Sequence, residues 1–298
     1  MKCIQGIQLI SGSNEELLPD FQTDFPYIAT CAELYKYLSP EIPWHWHSTA
    51  ELFYMEKGQL EYTTPHGKWR FEAGMGGFLN PNVLHTSKEI KSREGGIQLL
   101  HLFEPVLISG EAGNRMDQKY IRPLIQNSSI EMIPLSPEEP AQAELLKKIR
   151  QAFTLSEKDW GYEFKLRQQL TDIWMELLEI AHPLMESEHP WKTSDKEIKE
   201  MLVYIHDHFS DSISTEQIAE AAHVSKRGCF RIFQENLHMT PGDYLRSYRL
   251  RKAGQMLREG NEPVTEIAYT CGFCSGSYFG KMFREQFGCT PAEYRKKL

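Results

Sequence analysis

The C-terminal third of the chain contains an internal repeat at a spacing of fifty residues, and this repeat constrains the fold more than any other feature. The shift aligns identical or similar residues: Phe233 with Phe283, Glu235 with Glu285, Leu237 with Phe287, Thr240 with Thr290, Pro241 with Pro291, Asp243 with Glu293 and Tyr244 with Tyr294. Upstream, Ile218-Ala219 aligns with Ile267-Ala268 at a shift of forty-nine, so the second copy has one extra residue in its turn. Because a repeat is one supersecondary unit used again, two copies predict two helix-turn-helix units.

The second copy, from Gly272 to Arg295, shows what each unit contains. Its apolar residues follow the spacing of one buried helical stripe: Tyr278, Phe279, Met282, Phe283 and Phe287. Small, polar and basic residues take the opposite face: Ser277, Gly280, Lys281 and Arg284. A second helix start follows at Thr290-Pro291-Ala292-Glu293, with a hydroxyl at the N-cap and Pro at the first helical position. A short helix with a basic outer face, entered through a glycine turn, is typical of a helix that reads DNA.

The acidic balance of the whole chain hides a basic C-terminal end. The 298 residues carry a net charge of −8 at pH 7, but residues 225–298 hold 13 Lys and Arg against 7 Asp and Glu. That end therefore carries +6, and residues 1–224 carry −14. A basic end on an acidic body suits contacts with DNA that are confined to that end. A solvated charged surface is the alternative interpretation.

Composition favours a cytoplasmic protein of two domains. The hydrophobic fraction of 41% and the charged fraction of 25% are those of globular chains. No run of 18 apolar residues is present, so we expect no membrane partner. The first ten residues are too short an apolar stretch for a signal peptide. Six scattered cysteines fit a reducing compartment.

The N-terminal region, residues 1–135, has the pattern of short strands. Residues 1–40 are irregular and are interrupted by Pro19, Pro26 and Pro40. From Trp44 onwards, apolar segments at residues 52–55, 60–63, 69–71, 78–79 and 97–103 alternate with turns rich in Gly, Pro and Asn. This spacing predicts a small antiparallel β-barrel or sandwich of jelly-roll type. With a helical C-terminal domain, the fold class is α+β.

Two amphipathic helices are predicted within residues 136–190. The first stripe consists of Leu145, Ile149 and Phe153, and the second, which ends before Pro183, consists of Leu166, Leu170, Ile173, Trp174, Leu177 and Leu178. Two interpretations stay open: packing against the barrel, or a homodimer interface. The polar stretch 186–192, which contains Pro190, is predicted to be a linker.

Residues 191–298 are predicted to form an all-α domain with the two repeat units. Ser194-x-x-Glu197 and Ser214-x-x-Gln217 have the pattern of capping boxes, and Ser225 is the expected N-cap of the first reading helix. A linker helix is predicted from Pro241 to about Leu257. At ~17 residues it spans ~26 Å, so with its flanking turns it can separate two reading helices by one DNA turn of ~34 Å.

The order of these residues resembles the AraC/XylS family of transcriptional regulators. Two runs carry the resemblance, ISTEQIAEAAHVSKRGCFRIFQENLHMTPGDYLRSYRLRKAGQML and VTEIAYTCGFCSGSYFGKMFREQFGCTPAEYR, within residues 194–296. The resemblance implies that two helix-turn-helix units on a rigid linker helix enter successive major grooves of double-stranded DNA. The DNA-binding residues that it implies are Ser225, Lys226, Arg227, Phe230, Arg231, Gln234, Ser275, Ser277, Lys281 and Arg284, with glycines at 276 and 280.

The chain departs from the family pattern at several of these positions. Phe230 is large and apolar where the family usually has a small or polar residue, and the pattern slightly favours a place in the core. Gly276 and Gly280 remove side chains from the groove face of the second helix. We therefore expect the first helix to supply most base contacts and the second to supply mainly backbone contacts. His223 and His238 replace glycines of the family turns.

The N-terminal region also contains a motif similar to those of cupins. His45-x-His47-x3-Glu51 is followed by His85, and three imidazoles with one carboxylate can chelate a divalent transition metal. The resemblance equally implies an effector-binding barrel in which these residues hydrogen-bond a small molecule, with no cofactor required. The predicted effector-binding residues are Trp44, His45, His47, Glu51, Trp69 and His85. A sugar is the class of effector that the family resemblance implies, and Trp44 and Trp69 could offer flat apolar faces to its ring, although core packing is the alternative for them.

Two classes of function follow from these patterns. The first is a transcription regulator, not an enzyme, in which a small molecule shifts the population of states of a DNA-binding homodimer. RNA polymerase is its partner if it activates transcription. The second is a cupin metalloenzyme, a dioxygenase or isomerase, with an appended DNA-binding module. The regulator is favoured because a two-unit DNA-binding module has no use in a free-standing enzyme.

Overall fold

The computed structural model describes residues 2–4, 6–10, 14–18, 21–22, 24–37, 39, 41–90, 95–127, 129–186 and 195–296. Two compact units divide the chain: one contains Met1–Leu9 and Glu15–Thr193, and the other contains Ile10–Asn14 and Ser194–Leu298. The helices predicted within residues 136–190 therefore belong to the same unit as the strands. Residues 187–192 of the predicted linker, and the predicted cap at Ser194, lie outside the described residues.

The N-terminal unit is built from strands. Those in the described part of the chain are β1 (Lys2–Ile4), β2 (Gln8–Leu9), β3 (Glu16–Leu17), β4 (Tyr27–Glu33), β5 (Ala50–Lys57), β6 (Gln59–Thr63), β7 (Lys68–Glu72), β8 (Gly76–Leu79), β9 (Thr86–Ile90), β10 (Ile97–Phe103) and β11 (Met132–Leu135). The largest sheet has the order β1-β4-β10-β5-β8-β11, and the second has the order β7-β6-β9. Strands β2 and β3 pair as a separate ribbon.

The α+β class is confirmed, but the predicted antiparallel barrel is not closed, and one strand pair is parallel. Strand β1 runs parallel to β4, and no ladder between described strands joins the two larger sheets edge to edge. The chain instead passes from β5 in one sheet to β6 in the other through a turn at Gly58, whose φ is +76°. A Cβ at this position would lie 2.7 Å from the Cα atom of Gly96, so the turn requires glycine.

Strand β4 was not predicted, because residues 1–40 have no alternating pattern. In the structure it lies between β1 and β10 in the large sheet and pairs along its whole length with β10, from Tyr27 opposite Phe103 to Glu33 opposite Ile97. Its burial does not alternate between one residue and the next. A strand covered on both faces has no polar face, and so its sequence lacks the two-residue period.

Strand β5 separates two hydrophobic cores. Leu52 is fully buried in a cluster with residues of the helices, and its neighbour Phe53 is fully buried in a cluster with residues of the small sheet. Successive side chains of a strand point to opposite faces, so one strand supplies both cores. The edge strand β11 contains Pro134, at a place in the sheet where the missing N–H is tolerated.

The helices of this unit cover the outer face of the large sheet. They are α1 (Val106–Ser109), α2 (Arg122–Ile125), α3 (Pro140–Ala152) and α4 (Tyr162–Glu186), with a π-helical turn at Asp117–Ile121. The two predicted stripes lie in the core, except that Phe153 and Leu178 are only partly buried. Trp174 packs edge-on against Phe78 and Phe103. Helix α4 continues through Pro183 to Glu186, beyond the predicted end.

The C-terminal unit is helical, and its elements repeat as the sequence repeats. They are α5 (Asp195–His208), α6 (Thr215–Ala221), α7 (Lys226–Leu237), α8 (Pro241–Glu259), α9 (Val264–Thr270), α10 (Gly276–Phe287) and α11 (Pro291–Lys296). Helices α6 and α9 are offset by forty-nine residues, and α7 and α10 by fifty. The predicted repeat is therefore confirmed, and the linker helix α8 is 19 residues long.

Each repeat has the same aromatic contact in its core. Phe233 lies edge-on to Tyr244, with ring centroids 6.0 Å apart, and Phe283 lies edge-on to Tyr294 at 5.3 Å. Edge-to-face pairs of this kind stabilise by about 0.5–1.5 kcal/mol beyond the area that they bury. No described helix in either unit is long and apolar enough to cross a membrane.

Candidate functional site

Helix α7 presents the predicted DNA-binding residues to solvent. Ser225 is its N-cap, and the Ser225 hydroxyl accepts a hydrogen bond of 3.1 Å from the Gly228 amide. The other predicted residues of this helix are all exposed: Lys226, Arg227, Phe230, Arg231 and Gln234. The opposite face, with Ile232 and Phe233, is buried. The preference for Phe230 as a core residue is wrong, because this side chain is 40% exposed.

Two cations of this face have partners in the free protein. Lys226 Nζ lies 2.7 Å from the carboxylate of Glu216, and Arg231 Nη1 lies 3.4 Å from that of Glu235. All four side chains are at least half exposed. Exposed ion pairs stabilise by only about 0–1 kcal/mol, so phosphates or base edges can replace the carboxylates at little loss of stability.

Helix α10 presents a sparser face. Ser275 is its N-cap, and Ser277, Lys281 and Arg284 are exposed. Between them, an added Cβ at Gly280 would meet no atom within 4 Å, which indicates open space on this face. Tyr278, predicted to lie in the buried stripe, is instead 48% exposed. Its ring is near the start of the helix, where only Phe273 packs beside it at 6.3 Å among the described ring contacts.

The turns before and after α7 have the left-handed conformation that the sequence pattern implied. His223 and His238 both have φ of 55°, and the glycines at the equivalent places of the second repeat, Gly272 and Gly288, have φ of 78° and 72°. The replacement of glycine by histidine therefore leaves the turn geometry intact. Such a residue costs on the order of 1 kcal/mol in strain.

The N-terminal unit contains a cavity of about 250 Å³. Strands of both larger sheets contribute to its wall, and so do described residues of the N-terminal segment: Cys3, Ile4, Gly6, Ile7, Gln8, Glu16, Leu17 and Leu18. The polar lining residues include Glu16, Thr30, Tyr37, His45, Glu51, Tyr62, His85, Ser87 and Gln98, and the apolar ones include Ile4, Ile7, Leu17, Leu18, Ile28, Ile42, Leu100 and Leu102. Three of the predicted effector-binding residues thus lie on this wall: His45, Glu51 and His85.

The three predicted histidines are held in one orientation by the backbone. Nδ1 of His45 donates to the carbonyl of Pro43 at 2.8 Å, Nδ1 of His47 to that of Thr49 at 3.0 Å, and Nδ1 of His85 to that of Val83 at 2.9 Å. A carbonyl oxygen is only an acceptor, so each Nδ1 carries a proton. In a neutral ring, each Nε2 then keeps its lone pair and can accept a hydrogen bond or bind a metal. The same arrangement orients histidines that bind metals.

The structure brings together three of the four predicted metal ligands. These three residues are His47, Glu51 and His85, and all three side chains are buried. Each offers one ligand atom, and the three ligand atoms lie within 4.8 Å of one another. His45 stacks near His85, with ring centroids 4.0 Å apart, but its Nε2 lies 4.0 Å from a carboxylate oxygen of Glu16. Two imidazoles and one carboxylate form a set of donors that fits a divalent transition metal.

Burial and mutual charge set the protonation of these groups. Burial lowers the pKa of His45 to about 3, with a further contribution from His47, and it lowers the pKa of His85 well below its usual value. Burial also lowers the pKa of His47, but the hydrogen bond of 3.2 Å to Glu51 and the Glu51 charge outweigh it and raise the pKa. Burial raises the pKa of Glu16 to about 7.

The sequence patterns missed several residues of the cavity. Tyr62 donates to Glu51 at 2.7 Å and accepts a hydrogen bond of 2.7 Å from Gln98, so three strands hold the carboxylate in place. Glu16 and Tyr37 reach the wall from the segment that had no clear pattern. These residues are far apart in the chain and follow no motif, so no sequence signal identified them.

The predicted tryptophans do not lie on the described cavity wall. Trp44 is only 4% exposed, and Trp69 packs against the core between the two sheets. A Cβ on Gly67 would clash with the Trp69 ring, which therefore lies directly beside this glycine. Both tryptophan rings thus serve packing, and the described wall offers no tryptophan to stack on a sugar.

Comparison with known proteins supports the division into a ligand-binding and a DNA-binding unit. Residues 28–173 match the model of the AraC-like ligand binding domain, and residues 218–297 match that of a helix-turn-helix domain. The chain is 27% identical over 291 residues to the HTH-type transcriptional regulator YdeC of Bacillus subtilis strain 168, itself uncharacterised. That match covers 97% of this chain and 98% of YdeC.

A second relative is named as an activator, and one solved structure is similar over most of the chain. The HTH-type transcriptional activator RhaS of Escherichia fergusonii is 30% identical over 154 residues, which are 51% of this chain and 54% of that protein. The structure of ToxT from Vibrio cholerae is 12% identical and covers 91% of this chain and 98% of its own, with a TM-score of 0.48. The named relatives are regulators, so the metalloenzyme interpretation is not favoured.

Proposed function

Because the chain belongs to the AraC family of transcriptional regulators, we propose that its C-terminal unit binds double-stranded promoter DNA and that a small molecule in the N-terminal cavity modulates that binding. The observation that carries this proposal is the repeated helix pair, α6–α7 and α9–α10, with exposed cations on the second helix of each pair. The cytoplasm, where the chromosome is accessible, is its proposed location.

Base recognition is assigned mainly to α7. Arg227 and Arg231 are four residues apart and share one exposed face. Each can form a bidentate contact with guanine O6 and N7 in the major groove. Gln234, one turn further on, can pair in the same way with adenine. On α10, Lys281 and Arg284 flank a face that lacks side chains at Gly276 and Gly280, so their proposed partners are phosphates.

The effector acts by shifting the equilibrium between two states of the protein that differ in DNA binding. A ligand changes such an equilibrium only through its different affinity for the two states. The cavity wall includes residues of the N-terminal segment, among them Ile4, Ile7 and Glu16, so a bound ligand would contact this segment directly. A sugar would use the carboxylates of Glu16 and Glu51 as hydroxyl acceptors. Where the regulator activates transcription, RNA polymerase is the further partner.

The proposed homodimer contact is the outer face of α4. Phe164 is 82% exposed and Met175 is 46% exposed, and eleven residues bring a helix back to nearly the same face. Trp160, just before the helix, is 94% exposed. A large apolar surface of this kind marks an interaction site more often than free solvent contact. Analytical ultracentrifugation of Phe164→Glu, with Lys147→Gln on the exposed surface of α3 as a control, should show a monomer only for the first variant.

A divalent transition metal is the second candidate occupant of the cavity. His47, Glu51 and His85 would hold it, and the backbone carbonyls at the three Nδ1 atoms favour it. Metal analysis of the purified protein by mass spectrometry tests this assignment. We expect bound metal to fall to background in His85→Ala and to stay unchanged in His66→Ala, a histidine bound to Glu131 outside the cluster.

The central test is DNA binding by the full chain. Fluorescence anisotropy should show tighter binding to the DNA upstream of its own gene than to a scrambled duplex of equal composition. Arg231→Ala combined with Lys281→Ala should weaken this binding at least about tenfold, and Lys196→Ala, which removes an exposed cation of α5, should not. Stoichiometric iron or manganese with substrate turnover, and no preference between the duplexes, would contradict the regulator.

A further inference from the structure

The ionisable acidic and basic residues of the cavity wall are not balanced: the wall has carboxyl groups but no Lys or Arg among its described residues. Two carboxylates, those of Glu16 and Glu51, contribute to the wall, and the lining residues in the described part of the chain include no Lys or Arg. A ligand that carries a carboxylate or a phosphate would therefore meet two carboxyl groups and no Lys or Arg of the described wall, and repulsion between like charges is strong in a buried site. The wall selects against anions.

The two carboxylates differ in their partners. Glu51 has both oxygens occupied, one by the Tyr62 hydroxyl at 2.7 Å and one by His47 Nε2 at 3.2 Å. The Glu16 side chain is 90% buried, and the described residues offer it no side-chain hydrogen bond; its nearest ion-pair partner is His45 Nε2 at 4.0 Å. Such a distance is beyond a hydrogen bond.

A buried carboxylate without a hydrogen-bond donor is unfavourable. Glu16 faces the cavity, so a ligand is what can supply the donor. An ammonium group supplies donors and the opposite charge together, and such charge-assisted hydrogen bonds are roughly twice as strong as neutral ones. A hydroxyl group supplies a donor alone.

Part of the wall suits an apolar body. Aliphatic side chains line it, among them Ile7, Leu17, Leu100 and Leu102. A cavity of roughly 150 Å³ holds benzene, so a cavity of about 250 Å³ has room for about ten non-hydrogen atoms. A ligand that fits both Glu16 and the aliphatic side chains has a positively charged nitrogen and a compact hydrocarbon part.

We propose that the effector cavity recognises a small organic amine, with Glu16 as the partner of its ammonium group. This inference deepens the proposed regulator and rests on it, because it names the chemical class of the effector. Tyr37, which also lines the cavity, adds an aromatic face beside the charged group. Glu51 keeps its two existing partners and contributes negative potential.

The test uses three probes that differ only in charge and in hydrogen bonding: benzylamine, benzyl alcohol and benzoate. Calorimetry on the full chain, treated with EDTA to remove metals, should show that benzylamine binds at least about tenfold more tightly than benzyl alcohol. Benzoate should not bind. Glu16→Gln should bring the first two affinities within about twofold of each other, with benzyl alcohol binding retained as a check of folding. Glu33→Gln, at the C-terminal end of β4 and not among the lining residues, should keep the full preference.

Three results would overturn the inference. They are equal or tighter binding of benzoate, a preference for benzylamine that survives in Glu16→Gln, and no binding of benzylamine at millimolar concentration. Benzylamine binding that requires added Zn²⁺ would also overturn it, because the metal and not Glu16 would then hold the nitrogen. DNA anisotropy on the same samples separates the two proposals: specific DNA binding without any amine preference leaves the regulator standing, and amine binding without specific DNA binding contradicts the regulator alone.

Discussion

His223 and Gly272 adopt the same left-handed backbone conformation, with φ of 55° and 78°, in the turns that precede α7 and α10. Their surroundings differ. A Cβ on Gly272 would lie 2.8 Å from the carbonyl oxygens of Phe209 and Ser210, whereas His223 is exposed. The first turn can therefore accept a side chain, and the second cannot.

The two turns should respond oppositely to substitution. Gly272→Ala should lower the free energy of unfolding by about 2–3 kcal/mol, from backbone strain and the contact with two carbonyls. His223→Gly should change it by less than about 1 kcal/mol, with relief of strain offset by greater freedom of the unfolded chain. Urea denaturation followed by far-ultraviolet circular dichroism measures both, and equal effects would contradict the difference in packing.

Arg231 should specify one base position. Arg231→Ala should cost about 1–3 kcal/mol of specific binding and relax the preference at that position alone. Competition among duplexes with single base substitutions measures the effect. Glu235→Gln is the matched control, because it removes the partner of Arg231 at 3.4 Å and keeps the arginine. An unchanged base preference in Arg231→Ala would assign this side chain to phosphate.

Lys281 should act through phosphate. Lys281→Ala should weaken binding to all duplexes about equally and reduce the slope of log affinity against log salt by about 1. Anisotropy titrations from low to moderate salt measure this slope. A loss confined to one duplex sequence would show instead that α10 reads bases at Lys281.

The buried His101 should make the N-terminal unit sensitive to acid. Its ring nitrogens lie 2.7 Å from the Tyr27 hydroxyl and 3.1 Å from the Ile149 carbonyl, and its ring stacks on Phe153 at 3.6 Å. Burial lowers its pKa from 6.5 to about 4. The folded state therefore favours the neutral ring, whose contribution is fully present above pH 6.5 and is lost as pH falls toward 4.

That loss should reach about 3 kcal/mol across the window from pH 6.5 to 4. The difference in unfolding free energy between pH 7 and pH 4.5 should shrink by about 2 kcal/mol in His101→Gln, since the amide does not titrate. His182→Gln, at an exposed position of α4, should leave the difference as it is. Identical pH dependence in His101→Gln would assign the acid sensitivity to other groups.

The roles of residues that contact near neighbours in the chain were predictable from the sequence. The roles of residues that contact distant parts of the chain were not. The capping hydroxyl of Ser225 and the stripe of Leu166, Leu170 and Ile173 follow from local spacing, and the structure has both. Strand β4 was missed because burial on both faces removes the alternating pattern. Tyr278 and Phe230 were placed in the core by period, yet both are substantially exposed.

The sequence by itself determined the repeated helix pairs, the family, and the polar and basic residues that α7 and α10 expose, though not the exposure of Phe230 and Tyr278. A helix is specified by contacts three and four residues apart, and its repeat at fifty residues is visible without any coordinates. Only the tertiary structure decided that the sheets stay open, that His47, Glu51 and His85 converge, and that Glu16 joins them from β3. These groups meet because strands distant in the chain pair side by side, and the pairing of distant strands leaves no periodic trace in the sequence.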